Sequence, residues 1–141
     1  AKVAETISAG DHGTTYGGNL LATRAALYVL EQLTGTAAAV PYEGGGLIGH
    51  VREVGDLFGA GLDDLQRTHA IVHSVRGAGV MRGLELTIDA QPIVEGALKA
   101  GLIVNRTADR VVRMLPPLTV TVAEINEAMG ILDRVLSEAA K

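Results

Sequence analysis

The chain has 141 residues, 48% of them hydrophobic and 20% charged, which fits one compact domain with a packed core and excludes wholesale disorder. Its 12 basic residues against 16 acidic ones give a net charge of -4, with no dense Lys/Arg patch, so nucleic acid is not an expected partner. The lack of cysteine excludes disulfides, thiolate metal sites and a cysteine nucleophile.

No apolar stretch is long enough to cross a bilayer, and residues 1–6 lack the basic-then-apolar order of a signal peptide. A cytoplasmic protein with no membrane partner is expected. The aliphatic content is high while aromatics make up only 3%, so part of the apolar surface is expected to serve as an interface.

Residues 1–9 read as the end of a helix or a strand-to-helix connection, and the glycine-rich stretch 10–18 as a loop. Asn19 stands as the N-cap of a helix over 20–33, whose Leu20, Leu21, Leu27, Tyr28, Val29 and Leu30 predict burial on more than one side. Residues 34–46, with Pro41 and three consecutive glycines, form a connection. Leu47, Val51, Val54, Phe58, Leu62 and Leu65 then mark an amphipathic helix in spite of Gly49, Gly55, Gly59 and Gly61. Each such glycine costs roughly 1 kcal/mol against alanine, so tertiary packing must compensate.

Alternating, β-branched residues predict strands at 70–76 and 80–88, antiparallel across Gly77-Ala78-Gly79. A short helix follows at 92–100, with Pro92 in its first turn and Gly101 at the left-handed position after its end. Further strands are expected at 102–104 and 111–115, joined by a turn around Ala108-Asp109 and stopped by Pro116-Pro117. Thr121-Val122-Ala123-Glu124 is a capping box that opens a helix running to the C-terminus. The element order implies an α+β fold in which helices cover one face of a small, mostly antiparallel sheet.

The loop before Asn19 gathers two hydroxyls, Thr14 and Thr15, with sterically open amides and a helix N-terminus, a grouping suited to an anion. A glycine-rich turn whose threonines bond only main chain has the same composition. Arg113, in an otherwise apolar strand, could clamp a carboxylate through two parallel hydrogen bonds, or sit in water or in a structural ion pair. Arg76 and Arg82 flank the hairpin glycines; either could brace a domain interface, and solvated side chains are the default reading. No metal site is expected: His69 and His73 have ligand spacing only for a helix, and their neighbours favour a strand. Gly77 to Gly83 imitates a dinucleotide fingerprint but leads into a strand.

Four segments in order, Gly10-Asp11-His12-Gly13-Thr14-Thr15-Tyr16-Gly17-Gly18-Asn19, Val75-Arg76-Gly77-Ala78-Gly79-Val80-Met81-Arg82-Gly83-Leu84-Glu85-Leu86, Gly101-Leu102-Ile103-Val104-Asn105 and Val112-Arg113-Met114-Leu115-Pro116-Pro117-Leu118, carry a resemblance. Together they resemble the C-terminal part of class III pyridoxal-phosphate aminotransferases, with the acetylornithine branch nearest and the ornithine branch close by. The resemblance implies the small C-terminal domain of a fold-type I pyridoxal 5'-phosphate enzyme over residues 36–141. Residues 1–35 would then be the phosphate loop and linking helix at the tail of the large domain.

It further implies that Thr15 binds the cofactor phosphate of the neighbouring subunit, that Thr14 lies against substrate, and that Arg113 meets a substrate carboxylate or an active-site acid. The implied partners are a homodimer mate, an N-terminal large domain, an amino acid and 2-oxoglutarate. The family's Schiff-base lysine belongs to that large domain, and the setting of Lys2 resembles a surface helix instead. The chain alone is therefore expected to be inactive, with no catalytic residue of its own. Within the family, an ornithine-, succinylornithine- or 4-aminobutyrate-type enzyme is the alternative, and a stand-alone, non-catalytic oligomerisation module is the rival expectation from another class.

Overall fold

A computed structural model describes residues 4–6, 8, 10, 11, 13–36 and 45–140. Lys2, His12 and the connection around Pro41 lie outside the described residues. After a 3-10 turn at Ala4–Thr6 come helices α1 (Leu20–Thr34) and α2 (Gly46–Thr68), strands β1 (Val72–Ala78) and β2 (Met81–Leu86), and helix α3 (Gln91–Lys99). Strands β3 (Asn105–Thr107) and β4 (Val111–Met114) and helix α4 (Val122–Ala139) complete the order.

The strands form one wholly antiparallel sheet in the order β1-β2-β4-β3. Side chains alternate across it. Leu84, Leu86, Val112 and Met114 are buried on one face, where they join Phe58 and Leu62 of α2, Ile93 of α3, and Ile125 and Leu132 of α4 in a single core. Arg76, Gly83, Glu85 and Arg113 share the opposite face. The expected α+β architecture is the one observed.

Two of the glycines inside α2, Gly55 and Gly59, are explained by close approach. A Cβ at Gly55 would stand 2.8 Å from the main chain of Gly79, and one at Gly59 would stand 2.9 Å from the Arg82 guanidinium. These two positions, one turn apart, form a notch that seats the β1–β2 turn. Arg82 fastens it: Nε donates to Gly79 O at 2.9 Å, Nη1 to Gly77 O at 3.2 Å and Nη2 to Gly55 O at 2.9 Å. Arg82 thus braces the turn against α2 within the domain, through carbonyls, in place of the solvated side chain or interface brace that the sequence offered.

Several boundaries differ from expectation. The strand expected at 102–104 lies at Asn105–Thr107, because the Leu102 amide donates to Ala97 O at 2.8 Å and so finishes α3 instead of joining the ladder. Gly101, at φ +92°, takes the left-handed position that makes this closure possible. Strand β1 runs through Gly77 and Ala78, since Ala78 pairs with Met81 and only Gly79 and Val80 form the turn. Its start is delayed to Val72 by a turn from His69, and a bulge at His73 shifts its register.

Helix α1 departs most. None of its residues is buried, and Leu20 remains 88% exposed. Only its C-terminal end meets α2, where Gly35 and Gly46 pack main chain on main chain, so nothing among the described residues covers the apolar face.

The capping box of α4 is as expected, with Thr121 accepting from the Glu124 amide and the Glu124 carboxylate accepting from the Thr121 amide. His69, buried at the end of α2, donates from Nε2 to Asp133 on α4 at 2.7 Å. The β3–β4 turn holds Ala108 and Asp109 at φ 47° and 51°. Its carbonyls accept from two other elements: Arg110 O from Leu86 N and Asp109 O from Ala90 N, both at 2.8 Å. Arg106 grips Asp89 through Nε at 3.1 Å and Nη2 at 2.9 Å, and reaches Asp109 at 2.9 Å.

Candidate functional site

The loop leading into α1 is built by two overlapping turns, with Gly17 N donating to Thr14 O at 3.3 Å and Asn19 N to Tyr16 O at 3.1 Å. A Cβ at Gly17 would stand 2.5 Å from the Thr14 methyl group, so a larger residue there would turn the Thr14 side chain. Thr14 and Thr15 are both exposed. Thr14 Oγ1 accepts a long bond from Tyr16 N at 3.4 Å, and Thr15 makes no side-chain hydrogen bond with the described residues. The hydroxyls therefore point to solvent, free to donate to an anion.

The helix terminus contributes less than expected. Asn19 Oδ1 accepts from Leu21 N at 3.0 Å and Ala22 N at 3.1 Å, and its carbonyl accepts from Thr23 N, so the cap itself consumes the donors that would favour negative charge. An anion here would be held by the threonine hydroxyls and the loop amides.

Arg113 occupies the open face of the sheet, opposite Gly83 on β2 and Asn105 on β3. It makes no ion pair or hydrogen bond with the described residues, and its Nε is buried without a partner. A buried N–H of this kind is costly to leave unmet, which marks the position as one awaiting an acceptor. The Arg113 head borders a hollow of about 350 Å³ whose lining also includes Arg76, Met81, Arg82 and Thr107. Arg76 is tied by Nη2 to Glu85 at 2.6 Å, and Ser74 Oγ donates to the same carboxylate oxygen at 2.9 Å.

Thr14 and Thr15 are side by side, but they are not brought to Arg113. The loop sits at the free end of a 15-residue helix, roughly 22 Å from the α1–α2 junction. No hydrogen bond among the described residues joins it to the sheet. The alignment of Arg76 with Arg113 was not legible in the sequence, because it depends on strand register. A larger hollow, about 420 Å³, lies between Phe58, Ile103, Met114, Pro117 and Ile125, and its one charged residue, Glu124, is engaged in the α4 cap. It offers shape and apolar surface without reactive groups.

The family model for aminotransferase class III matches residues 1–136. The chain belongs to that family. Among relatives of this class III chain, the acetylornithine aminotransferase of Caldanaerobacter subterraneus subsp. tengcongensis is 43% identical over 130 residues, which cover 92% of this chain and 31% of the relative. That of Aquifex aeolicus is 37% identical over 135 residues, 96% of this chain and 32% of the relative. The chain thus spans about a third of the length of the curated relatives it matches.

Among solved structures, ornithine delta-aminotransferase of Plasmodium falciparum superposes with a TM-score of 0.81 at 25% identity, covering 99% of this chain and 34% of that one. Acetylornithine aminotransferase of Elizabethkingia anophelis gives 0.77 at 22% identity over 96% and 34%, a likeness of fold. The fold is that of the class III, fold-type I enzymes over the matched portion.

Proposed function

We propose that this chain forms the C-terminal portion of a pyridoxal-phosphate-dependent aminotransferase that moves an amino group between N2-acetyl-L-ornithine and 2-oxoglutarate in arginine biosynthesis. It would work in the cytoplasm as a homodimer whose large domain supplies the cofactor-bearing lysine. The observation that carries this reading is the outward pair of hydroxyls at Thr14 and Thr15 on a loop whose own helix is already capped. Such a loop fits the phosphate of the cofactor. Thr15 Oγ1 donates to a phosphate oxygen, Thr14 faces substrate, and Arg113 presents its guanidinium fork to a carboxylate. Pyridoxal phosphate, when bound, supplies the electron sink for transfer of the amino group.

The separation of the loop from Arg113 supports a loop that serves a neighbouring subunit. The burial pattern supports a division at residue 35: α1 buries none of its residues, while the hydrophobic core begins at Val54. Residues 1–35 then act as the tail of the large domain, and residues 36–141 as the small one. The acetylornithine reading of the donor is supported by relatives of that name at 43% and 37% identity.

The test joins this chain to the large-domain segment and follows amino transfer from N2-acetylornithine and, separately, from ornithine. Transfer from the acetylated donor is expected. A cofactor-loaded protein that ignores both donors overturns the reading. In the same protein, Thr15→Ala is expected to weaken cofactor retention about tenfold or more, the loss of one hydrogen bond to a charged group.

A further inference from the structure

We propose that a second copy of this chain covers the apolar face of α1, the two helices pairing antiparallel about a twofold axis level with Tyr28. The inference goes beyond the aminotransferase reading and rests on α1 alone. Leu20, Leu27 and Thr34 recur every seven residues, with Thr23 and Leu30 between them, so these five side chains hold the a and d positions of a heptad pattern. Leu27 is 46% and Leu30 57% exposed at the middle of this seam. Helix α2 does not obstruct it: Gly46 meets the Gln32 carbonyl and Gly35, and Gln32 stands at f, the outer side of the heptad.

Charge selects both the occupant and its direction. Arg24 and Glu31 are the only charged residues of α1, and both stand at e, on one flank of the seam. Seven residues set them roughly 10 Å apart along the axis, too far to pair with each other. Neither side chain has an ion pair or a hydrogen bond with the described residues. In an antiparallel pair Leu27 meets the partner's Leu30 and Arg24 meets the partner's Glu31, and the twofold axis repeats each contact. In a parallel pair e faces g, where Ala26 and Leu33 offer no charge. So short a seam buries less than the roughly 800 Å² per partner of a standard interface, so the dimer is reversible, with a dissociation constant on the order of 10–100 μM.

The test is sedimentation equilibrium of the 141-residue chain from about 1 μM to about 1 mM at low salt, with thermal unfolding of every variant at the dilute end to show the core intact. A monomer–dimer equilibrium is expected. Leu30→Gln, which keeps helix propensity and removes a seam side chain, should abolish the dimer. Leu21→Gln is the control: Leu21 is 79% exposed but lies off the seam, so its loss should leave association unchanged. Arg24→Glu and Glu31→Arg should each weaken the dimer several-fold, since each sets like charges opposite one another, and the two changes together should restore it. A monomer at every concentration, association that continues past the dimer, or Leu21→Gln dissociating the dimer as strongly as Leu30→Gln overturns the proposal. So do single charge reversals without effect, or a double reversal that associates no better than the single ones.

Discussion

Gly55 of α2 and Gly79 of the β1–β2 turn meet main chain to main chain, with only 2.8 Å between a Cβ built at 55 and the Gly79 Cα. Neither partner can yield without moving its element. Gly55→Ala gains helix propensity but forces the turn off its seat, and the steric penalty outweighs the gain. Urea unfolding should show a net loss of about 1–2 kcal/mol. Gly130 in α4 is the control: nothing lies within 4 Å of a Cβ there, so Gly130→Ala should stabilise by about 0.5–1 kcal/mol.

Arg82 holds the same turn through three carbonyls. Arg82→Met preserves the aliphatic stem and removes the donors, and is expected to lower unfolding free energy by about 2 kcal/mol, within the range for hydrogen bonds to charged groups. A loss no larger than that of Arg76→Met, whose one ion pair is largely exposed, would contradict this account.

The regular elements and their order could be read locally, because each rests on periodicity or on capping chemistry: the Thr121–Glu124 box, Asn19 and Gly101 all act within a few residues of themselves. The glycines of α2 look like defects until the hairpin that presses on them is known, and that contact joins positions 55 and 79. Arg113 could be singled out as a charge in an apolar strand, but its alignment with Gly83 and Arg76 needed the sheet order. Leu102, Ile103 and Val104 carry strand-forming side chains, yet a single amide committed to α3 moved the ladder onward. Periodicity on α1 revealed an apolar face without saying whether this chain would cover it.

Two carboxyls should govern acid stability. The Gln91 main-chain amide and then the Arg106 guanidinium hold Asp89 below the usual carboxylate range, and the Thr121 amide and hydroxyl do the same for Glu124. Groups depressed in the folded state contribute stability above their unfolded pKa and lose it as pH falls through the folded one. The unfolding midpoint should therefore be nearly flat above about pH 5 and decline below about pH 4. Asp89→Asn and Glu124→Gln should each make that decline shallower while lowering stability at neutral pH, as thermal scans at a series of pH values would show.

Helix α1, with no buried residue and a contact to α2 only at its C-terminal end, is held mainly by its own hydrogen bonds and caps, and a helix of 15 residues is marginal on those terms. Hydrogen exchange of the 141-residue chain should find its amides among the least protected, and those of α2 and α4 near the global limit. Protection of α1 that rises with protein concentration would report association through its apolar face.

The β3–β4 turn has a consequence for how this chain can be rewired. A protruding tip with two residues at positive φ is ordinarily a tolerant place to cut a polypeptide and relocate its ends. Here the tip is a clasp, since Asp109 and Arg110 furnish the acceptors on which α3 begins and β2 finishes. A circular permutant opened at that tip would fray two elements at once, so its three residues behave less as a spacer than as a keystone.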